Sequence, residues 1–279
     1  MRYREFRPSP GLEGLVHRFW TLEGPAPAGT AEFERAMPDG RPELIFNLGG
    51  AFERRLPRGV ERQPGALLVG PTTRPLLVRP TGPVNLVGVR LVPGRWPAML
   101  GLRGDEVLNQ APALADAAPR WGGDLLEPLA EAGTPAARAA LLERRLRQLA
   151  SDAGRGDRRA DPRLRAAVEL TYGERGRLTV RRVAELTGLS QRQLARLFRR
   201  GTGMEPRLLR GVVRFQQVLG EIERPGPVRW AALAARHGYY DQAHLCRDFR
   251  RFGGLSPARY LAAVREVTRH FVDRDGPAG

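Results

Sequence analysis

The sequence predicts an α+β protein in two unlike parts. An N-terminal β-barrel-like domain carries a helical extension, and a C-terminal all-α domain holds one motif twice. Three observations lead there. The first hundred residues break into short apolar runs between Pro- and Gly-rich turns, the texture turns helical from Pro93, and residues 178–260 repeat themselves at nearly constant spacing. Self-similarity of that kind marks a repeated structural unit. With 279 residues, the chain can fold two domains, each with a sizeable core.

In the N-terminal part, Pro38-Asp39-Gly40 reads as a turn opening the strand Glu43-Leu44-Ile45-Phe46-Asn47-Leu48. Ala66 to Val69, Leu76 to Arg79 and Val84 to Val92 read as further strands. On the last, Leu86, Gly88, Arg90 and Val92 share one face, and Val87, Val89 and Leu91 the other. Several short strands with turns between them suggest an all-β barrel or sandwich. Thr134-Pro135 opens a helix to Leu149 with Leu141, Leu142, Leu146 and Leu149 periodic. The polar, Arg- and Gly-rich stretch from Ser151 to Asp161 reads as a linker, and Asp161-Pro162 as the N-cap and first residue of a new helix. The expected domains are therefore residues 1–102, a helical extension 103–150, a linker 151–161 and a basic helical domain 162–265.

The repeated motif runs Val183-Ala184-Glu185-Leu186-Thr187-Gly188-Leu189-Ser190, then Leu194, Phe198-Arg199-Arg200, Gly203 and Pro206. Its second copy runs Leu233-Ala234-Ala235-Arg236-His237-Gly238-Tyr239, then Leu245, Phe249-Arg250-Arg251, Gly254 and Pro257. The glycines of the turn are 50 residues apart and the later pairs 51, so one residue is added after the second turn. Each copy reads as helix, turn, helix. Gly188 suits a left-handed helix end, and Ser190 with Gln193 forms a capping box for the second helix. Asp241 is the matching cap in the second copy. Leu194, Leu197 and Phe198 fall on one helical face, leaving Gln191, Arg192, Arg196, Arg199 and Arg200 on the other. In the second copy Gln242, His244, Arg247, Arg250 and Arg251 remain free. A helix, a glycine turn and a second helix with an Arg-rich outer face is the geometry that enters a DNA major groove. A packed hairpin with a solvated charged face is the blander reading, but it does not explain two copies in register. Glu205 to about Ile222 reads as one long helix joining them, apolar at Leu208, Leu209, Val212, Val213, Phe215 and Val218 and ended by Pro225-Gly226-Pro227.

Charge separates the two parts. Residues 158–270 hold 24 arginines against 10 carboxylates; the rest of the chain holds 22 against 20. A nearly neutral part joined to a strongly basic one points to a single polyanion-binding domain. The absence of lysine reflects composition rather than chemistry. One cysteine, Cys246, excludes an intrachain disulfide and a multi-thiolate metal site; a redox sensor and a small partly buried thiol both remain open for it. The N-terminus lacks a signal-like apolar run, and nothing approaches the ~18 apolar residues a span needs. The expectation is a cytoplasmic protein that does not bind membranes.

The segments Gly238-Tyr239-Tyr240-Asp241-Gln242-Ala243-His244-Leu245, Arg247-Asp248-Phe249-Arg250-Arg251 and Gly254-Leu255-Ser256-Pro257-Ala258-Arg259-Tyr260 resemble the signature of AraC/XylS-type transcriptional regulators. That resemblance implies seven helices, two helix-turn-helix subdomains and a long helix between them. Met37-Pro38-Asp39-Gly40 with Leu44 to Gly49, Gly70 to Pro75 and Gly88 to Gly94 resemble the amino-terminal domain of uncharacterised function found in some of these regulators. This second resemblance implies a cupin-like barrel that senses or dimerises.

Many cupins bind metal through a His/Glu cluster. Residues 1–157 contain only His17, read as a partly buried structural residue, and His237, His244 and His270 are scattered through the basic part. Neither a metal nor a cofactor is therefore expected, and no catalytic residue is assigned. Glu43 and Arg90 are the candidate ligand anchors inside the barrel, with a salt-bridged or solvated position as the alternative. For base contacts the candidates are Gln191, Arg192, Arg196, Gln242, Ala243, His244 and Arg247, since Arg suits guanine and Gln adenine. Ala195 and Ala243 share that face and could touch only a thymine methyl. Ser190, Arg199, Arg200, Arg250 and Arg251 are the phosphate candidates. Double-stranded DNA is the expected partner, with RNA polymerase, a small-molecule effector and a second copy of the chain as further candidates. An interaction-only regulator and a barrel enzyme fused to a DNA-binding domain are the alternatives.

Overall fold

A computed structural model describes residues 1–26, 32–121, 124–154, 161–224 and 226–263. Nine strands come first among these: β1 (Arg2–Phe6), β2 (Val16–Gly24), β3 (Glu34–Ala36), β4 (Glu43–Asn47), β5 (Phe52–Leu56), β6 (Gly59–Arg62), β7 (Ala66–Val69), β8 (Leu76–Pro80) and β9 (Val84–Leu91). They form two antiparallel sheets, ordered β1-β2-β9-β4-β7 and β3-β8-β5-β6. The expected barrel-like domain thus takes the form of a two-sheet stack.

Side-chain alternation decides what lies on each side of the larger sheet. Trp20, Leu22, Val84 and Leu86 turn toward Phe52 and Val78 of the smaller sheet and make the core between sheets. Phe19, Leu44, Phe46, Leu68, Val87, Val89 and Leu91 turn the other way, onto helices. Those helices are α1 (Trp96–Leu100), α2 (Leu114–Ala117), α3 (Leu126–Glu131) and α4 (Pro135–Gly154), with a 3₁₀ turn at Gly104–Val107. Ala139, Leu142, Leu146 and Leu149 of α4 form its buried stripe at helical spacing. Helix α4 runs to Gly154, four residues into the stretch read as linker from its polarity, because a polar helix end can project without needing a buried face. Residues 155–160 lie outside the described residues.

Seven helices follow among the described residues: α5 (Pro162–Gly173), α6 (Val180–Leu186), α7 (Gln191–Thr202), α8 (Pro206–Ile222), α9 (Trp230–Arg236), α10 (Gln242–Gly253) and α11 (Pro257–Ala263). Asp161 caps α5 by accepting from the Arg163 amide, with Pro162 at the first turn. The axis of this part is α8, which buries Leu209, Val212, Val213, Phe215, Val218, Leu219 and Ile222. Leu208 is only partly buried. Leu194 and Phe198 from α7, and Leu245 and Phe249 from α10, close the same core. The Phe249 ring meets Phe215 edge-on, centroids 5.0 Å apart. Pro225, read as part of the signal ending α8, lies outside the described residues, as do His270 and residues 264–265.

Candidate nucleic-acid interface

The two helix-turn-helix units are built alike. Gly188 and Gly238 sit at φ +64° and +69°, where an L side chain is strained and glycine is not. After each glycine one apolar residue returns to the core: the Leu189 amide donates to the Ala184 carbonyl (2.9 Å) and the Tyr239 amide to that of Ala234 (3.0 Å). A cap then starts the second helix. Ser190 accepts from the Gln193 amide at 3.2 Å while the Gln193 carboxamide accepts from the Ser190 amide at 2.9 Å, a complete capping box. In the second unit Asp241 accepts from the His244 amide at 2.6 Å. His244 cannot return the bond as Gln193 does, and its Nδ1 sits a long 3.5 Å from the Tyr240 amide.

From the cap onward the units correspond residue for residue, Gln191 to Gln242, Arg192 to Ala243, Arg196 to Arg247 and Arg199-Arg200 to Arg250-Arg251. All these residues and Ser190 are exposed. Their spacing of i, i+4, i+7 and i+8 lays them along one stripe of each helix, opposite Leu194 with Phe198 and Leu245 with Phe249. Among the described residues, the side chains of Arg192, Arg196, Arg200, Arg247 and Arg250 make no ion pair or hydrogen bond with a protein group. Rows of uncompensated guanidinium groups can take phosphates and guanine edges.

Two sequence assignments land elsewhere. Ala195 does not match Ala243: it superposes on Cys246, and both are half-buried, because one hundred degrees of helix rotation carries them toward the core flank. His244 is half-buried as well. Its ring packs edge-on against Tyr239, centroids 5.2 Å apart, and its Nε2 lies 3.9 Å from Asp248 Oδ2. It therefore leans toward the turn, while Gln242 and Arg247 stand clear.

What supports each unit differs, and the apolar pattern of α8 hides it. Arg214, on α8 and almost fully buried, donates to the Gly238 carbonyl at 2.9 Å and to Asp248 at 3.2 Å. Its guanidinium lies 4.4 Å from the center of the Tyr239 ring. Burial pushes the Tyr239 phenol well above its ordinary range, so it stays neutral beside Arg214. The turn and helix of the second unit are thus held by α8. Glu221 adds to this, pairing with His237 at 2.8 Å and with Arg236. Burial alone would raise the Glu221 carboxyl; His237 and Arg236 outweigh it and leave it below the ordinary carboxylate value.

The first unit leans on the N-terminal domain instead. The Gly94 amide donates to the Gly201 carbonyl at 3.0 Å. Gly104 lies so close to α7 that a methyl group there would sit 2.5 Å from the Gly203 nitrogen and 3.0 Å from the Arg200 carbonyl. Asp105, beside it, is held below its ordinary value first by a hydrogen bond from Arg103 and last by the charge of Arg199. The turn between β3 and β4 plugs into the same domain. Met37 joins its core, Gln216 donates to the Pro38 carbonyl at 2.7 Å, and Tyr172 donates to the Asp39 carbonyl at 3.1 Å. From inside the sheet stack, Arg90 reaches Glu43 at 2.7 Å and Asp39 at 3.5 Å. Glu43 and Arg90 are thus a buried pair at the domain boundary. Sequence reasoning missed Arg214 and Gln216; the available signal was a polar residue on either side of Phe215 inside an otherwise apolar run.

Beside Glu43 a cavity of about 70 Å³ lies between the sheets, lined by Ala36, Ile45, Phe52, Leu67, Val78 and Leu86 among others. It shares Asn47, Gln63 and Pro64 with an open polar groove of about 790 Å³. Among the described residues no three His, Cys, Asp or Glu come together to hold a metal ion. No helix there is long and apolar enough to cross a membrane.

Paired helix-turn-helix units with bare arginine stripes define a DNA-binding protein of the helix-turn-helix class. Residues 183–263 match the helix-turn-helix domain family of AraC type, and residues 4–112 match a domain of unknown function, DUF6597. The chain is a DNA-binding transcriptional regulator that joins these two domains. No curated protein matches it. Its fold is similar to that of ToxT from Vibrio cholerae, at 11% identity and a TM-score of 0.47 over 89% of this chain and 99% of that one. Another ToxT structure, with an unsaturated fatty acid bound, aligns at 9% identity and 0.46 over 89% and 98%.

Proposed function

We propose that one chain reads two successive major-groove segments on one face of its operator, with α7 and α10 as the two heads. The observation that carries this is the pair of matching exposed arginine stripes, in which the side chains of Arg192, Arg196, Arg200, Arg247 and Arg250 pair with no described protein group. In this reading Gln191, Arg192, Arg196, Gln242, Ala243 and Arg247 meet base edges, with His244 at the margin. Ser190, Arg199, Arg200, Arg250 and Arg251 meet phosphates, and half or more of protein–DNA hydrogen bonds are of that positioning kind. Removing Arg196 or Arg247 as a base contact should cost about 1–3 kcal/mol and relax preference at one position. Selection of duplexes from a random pool by the wild type, Arg196→Ala and Arg247→Ala tests it; unchanged preferences in both variants would refute the assignment.

The N-terminal part, residues 1–102 with the helical extension 103–150, acts in this reading as a receiver for a small-molecule effector. The support is a continuous path: Glu43 walls the cavity and pairs with Arg90, Arg90 reaches Asp39, and the Asp39 carbonyl is held by Tyr172 of the DNA-binding part. A ligand that displaces β4 or takes over Glu43 therefore pulls on α5 and α8. The cavity alone has room for about two waters at ~30 Å³ each, which favours a second reading, a regulator that takes no small molecule. A thermal-shift screen of the full chain with a small-molecule library separates them, since binding to the folded state raises Tm. The first reading expects a compound that raises Tm, changes operator affinity and loses both effects in Ala36→Leu, which fills the cavity. A screen without such a compound favours the second. Either way the reading is of a cytoplasmic regulator without chemistry of its own, with RNA polymerase and a second copy of the chain as further partners.

A further inference from the structure

The two turns differ by one residue, and the hydrogen bonds identify it. Leu189 and Tyr239 occupy the same position, each returning to the core with 7% and 6% of its surface exposed and each bonded to the equivalent carbonyl. Ser190 and Asp241 are the equivalent caps. The residue between Tyr239 and Asp241, Tyr240, is the insertion. It is 94% exposed, far beyond any other large hydrophobic side chain among the described residues. Its side chain makes no hydrogen bond or ring contact with a described protein group. Its neighbour Tyr239 is buried against Arg214 and His244. Folding gains nothing from the Tyr240 ring, although an aromatic side chain can bury about 150–250 Å² against a partner.

Position supplies the partner. Tyr240 immediately precedes the cap of α10, and the first turns of that helix carry Gln242 and Arg247. If those reach base edges in the groove, the residue before the cap stands at the groove's wall, where the sugar–phosphate strand runs. A tyrosine suits that wall: the ring covers a deoxyribose and the hydroxyl donates to a phosphate oxygen. We propose that Tyr240 is a backbone contact of the second head, with its hydroxyl on one phosphate and its ring on the adjoining sugar. The first head has no counterpart, so the added residue gives α10 a fixed register on the duplex. This rests on the reading of α10 as a DNA-reading head.

The chemistry predicts a signature unlike that of the arginines. A neutral hydroxyl displaces no counterion, whereas each phosphate-bound arginine contributes to the salt dependence of binding. The test uses the full chain and a duplex selected by it from a random pool, with Kd measured across a salt series. Tyr240→Phe should weaken binding by roughly ten- to a hundredfold, the scale of one hydrogen bond to a charged group, at an unchanged salt slope. Tyr240→Ala should weaken it further, also at unchanged slope. Replacing single phosphates by methylphosphonates should find one position beside the second subsite that weakens the wild type and leaves Tyr240→Phe unaffected. If Tyr240→Phe binds within twofold of wild type, or no such position exists, the proposal falls. Arg247→Ala is the control: a loss there with no loss in Tyr240→Phe overturns the Tyr240 contact alone, and no loss in either overturns the second head as well.

Discussion

The two helix-turn-helix units share a fold and nearly the same pattern of burial, yet different parts of the molecule hold them in place. The second unit is anchored from within its own domain, by a buried arginine on α8 that grips its turn and its second helix. The end of α7 in the first unit rests on the N-terminal domain, through backbone contacts at Gly94 and Gly104 and the charge of Asp105 facing Arg199. A duplicated motif has thus been divided into a head held mainly by a buried arginine of its own domain and a head held closely by the backbone of the other domain. A signal from the N-terminal domain has a backbone path to α7 at Gly94 and Gly104, whereas at the end of α10 it has only the Pro75 ring beside Gly254 and otherwise the route through α8.

The largest effect that could break this contrast is at Arg214. Arg214→Met removes the partner of the partly buried Asp248 and of the Gly238 carbonyl, and since breaking a fully buried pair from one side costs about 3–5 kcal/mol, a loss of about 2–3 kcal/mol is expected here. Thermal unfolding should show the loss, and footprinting should show weaker protection at the second subsite than at the first; equal loss at both would mean that Arg214 does not serve one unit selectively. Next is Gly104→Ala. The added methyl cannot fit against Gly203, so α7 and the 3₁₀ turn must separate, at about 1–3 kcal/mol for a forced fit. Hydrogen exchange should quicken at the end of α7 and stay unchanged in α10; protection retained in α7 would show that the interface carries no load. The smallest effect concerns Glu221. Its folded-state pKa is depressed, so its stabilisation is present above the ordinary carboxylate value and is lost as pH falls through the depressed one. Glu221→Gln should therefore reduce stability by less than about 1 kcal/mol near neutral pH and flatten the acid limb of a Tm-against-pH curve; an unchanged acid limb would remove Glu221 from the account.

The legible parts of this molecule were those governed by local rules. Ser190, Asp161 and Asp241 announce helix starts, Gly188 and Gly238 announce turns, and the repeated Leu and Phe fix which face of α7 and α10 is inward. Strands β4, β7, β8 and β9 were readable because each is a short apolar run beside a turn signal. The edge strand β6 is exposed at every position and has no apolar signal to read, and β2 is buried over consecutive residues, so its alternation is lost. Long-range choices were not legible at all. Nothing near Arg214 in the sequence says that Asp248 will face it, nothing near Gly104 announces Gly203, and the sharing of Asp39 between Arg90 and Tyr172 depends on how two domains meet. The extra residue of the second turn could be counted from the spacing, but only the hydrogen bonds of the turn single out Tyr240.

The central claim is that both heads of a single chain read DNA in phase. Two heads joined by a rigid α8 can enter successive grooves only on one face of the duplex, about one helical turn of ~34 Å apart. The direct measurement is the affinity of the full chain for its selected duplex before and after insertion of about five base pairs, half a turn, between the two subsites. The account predicts a loss of at least about tenfold and the disappearance of one of the two footprints, with partial recovery at about ten inserted base pairs only if the DNA bends to meet the second head. Undiminished binding after the half-turn insertion would contradict it and leave one of the two units as a structural element only.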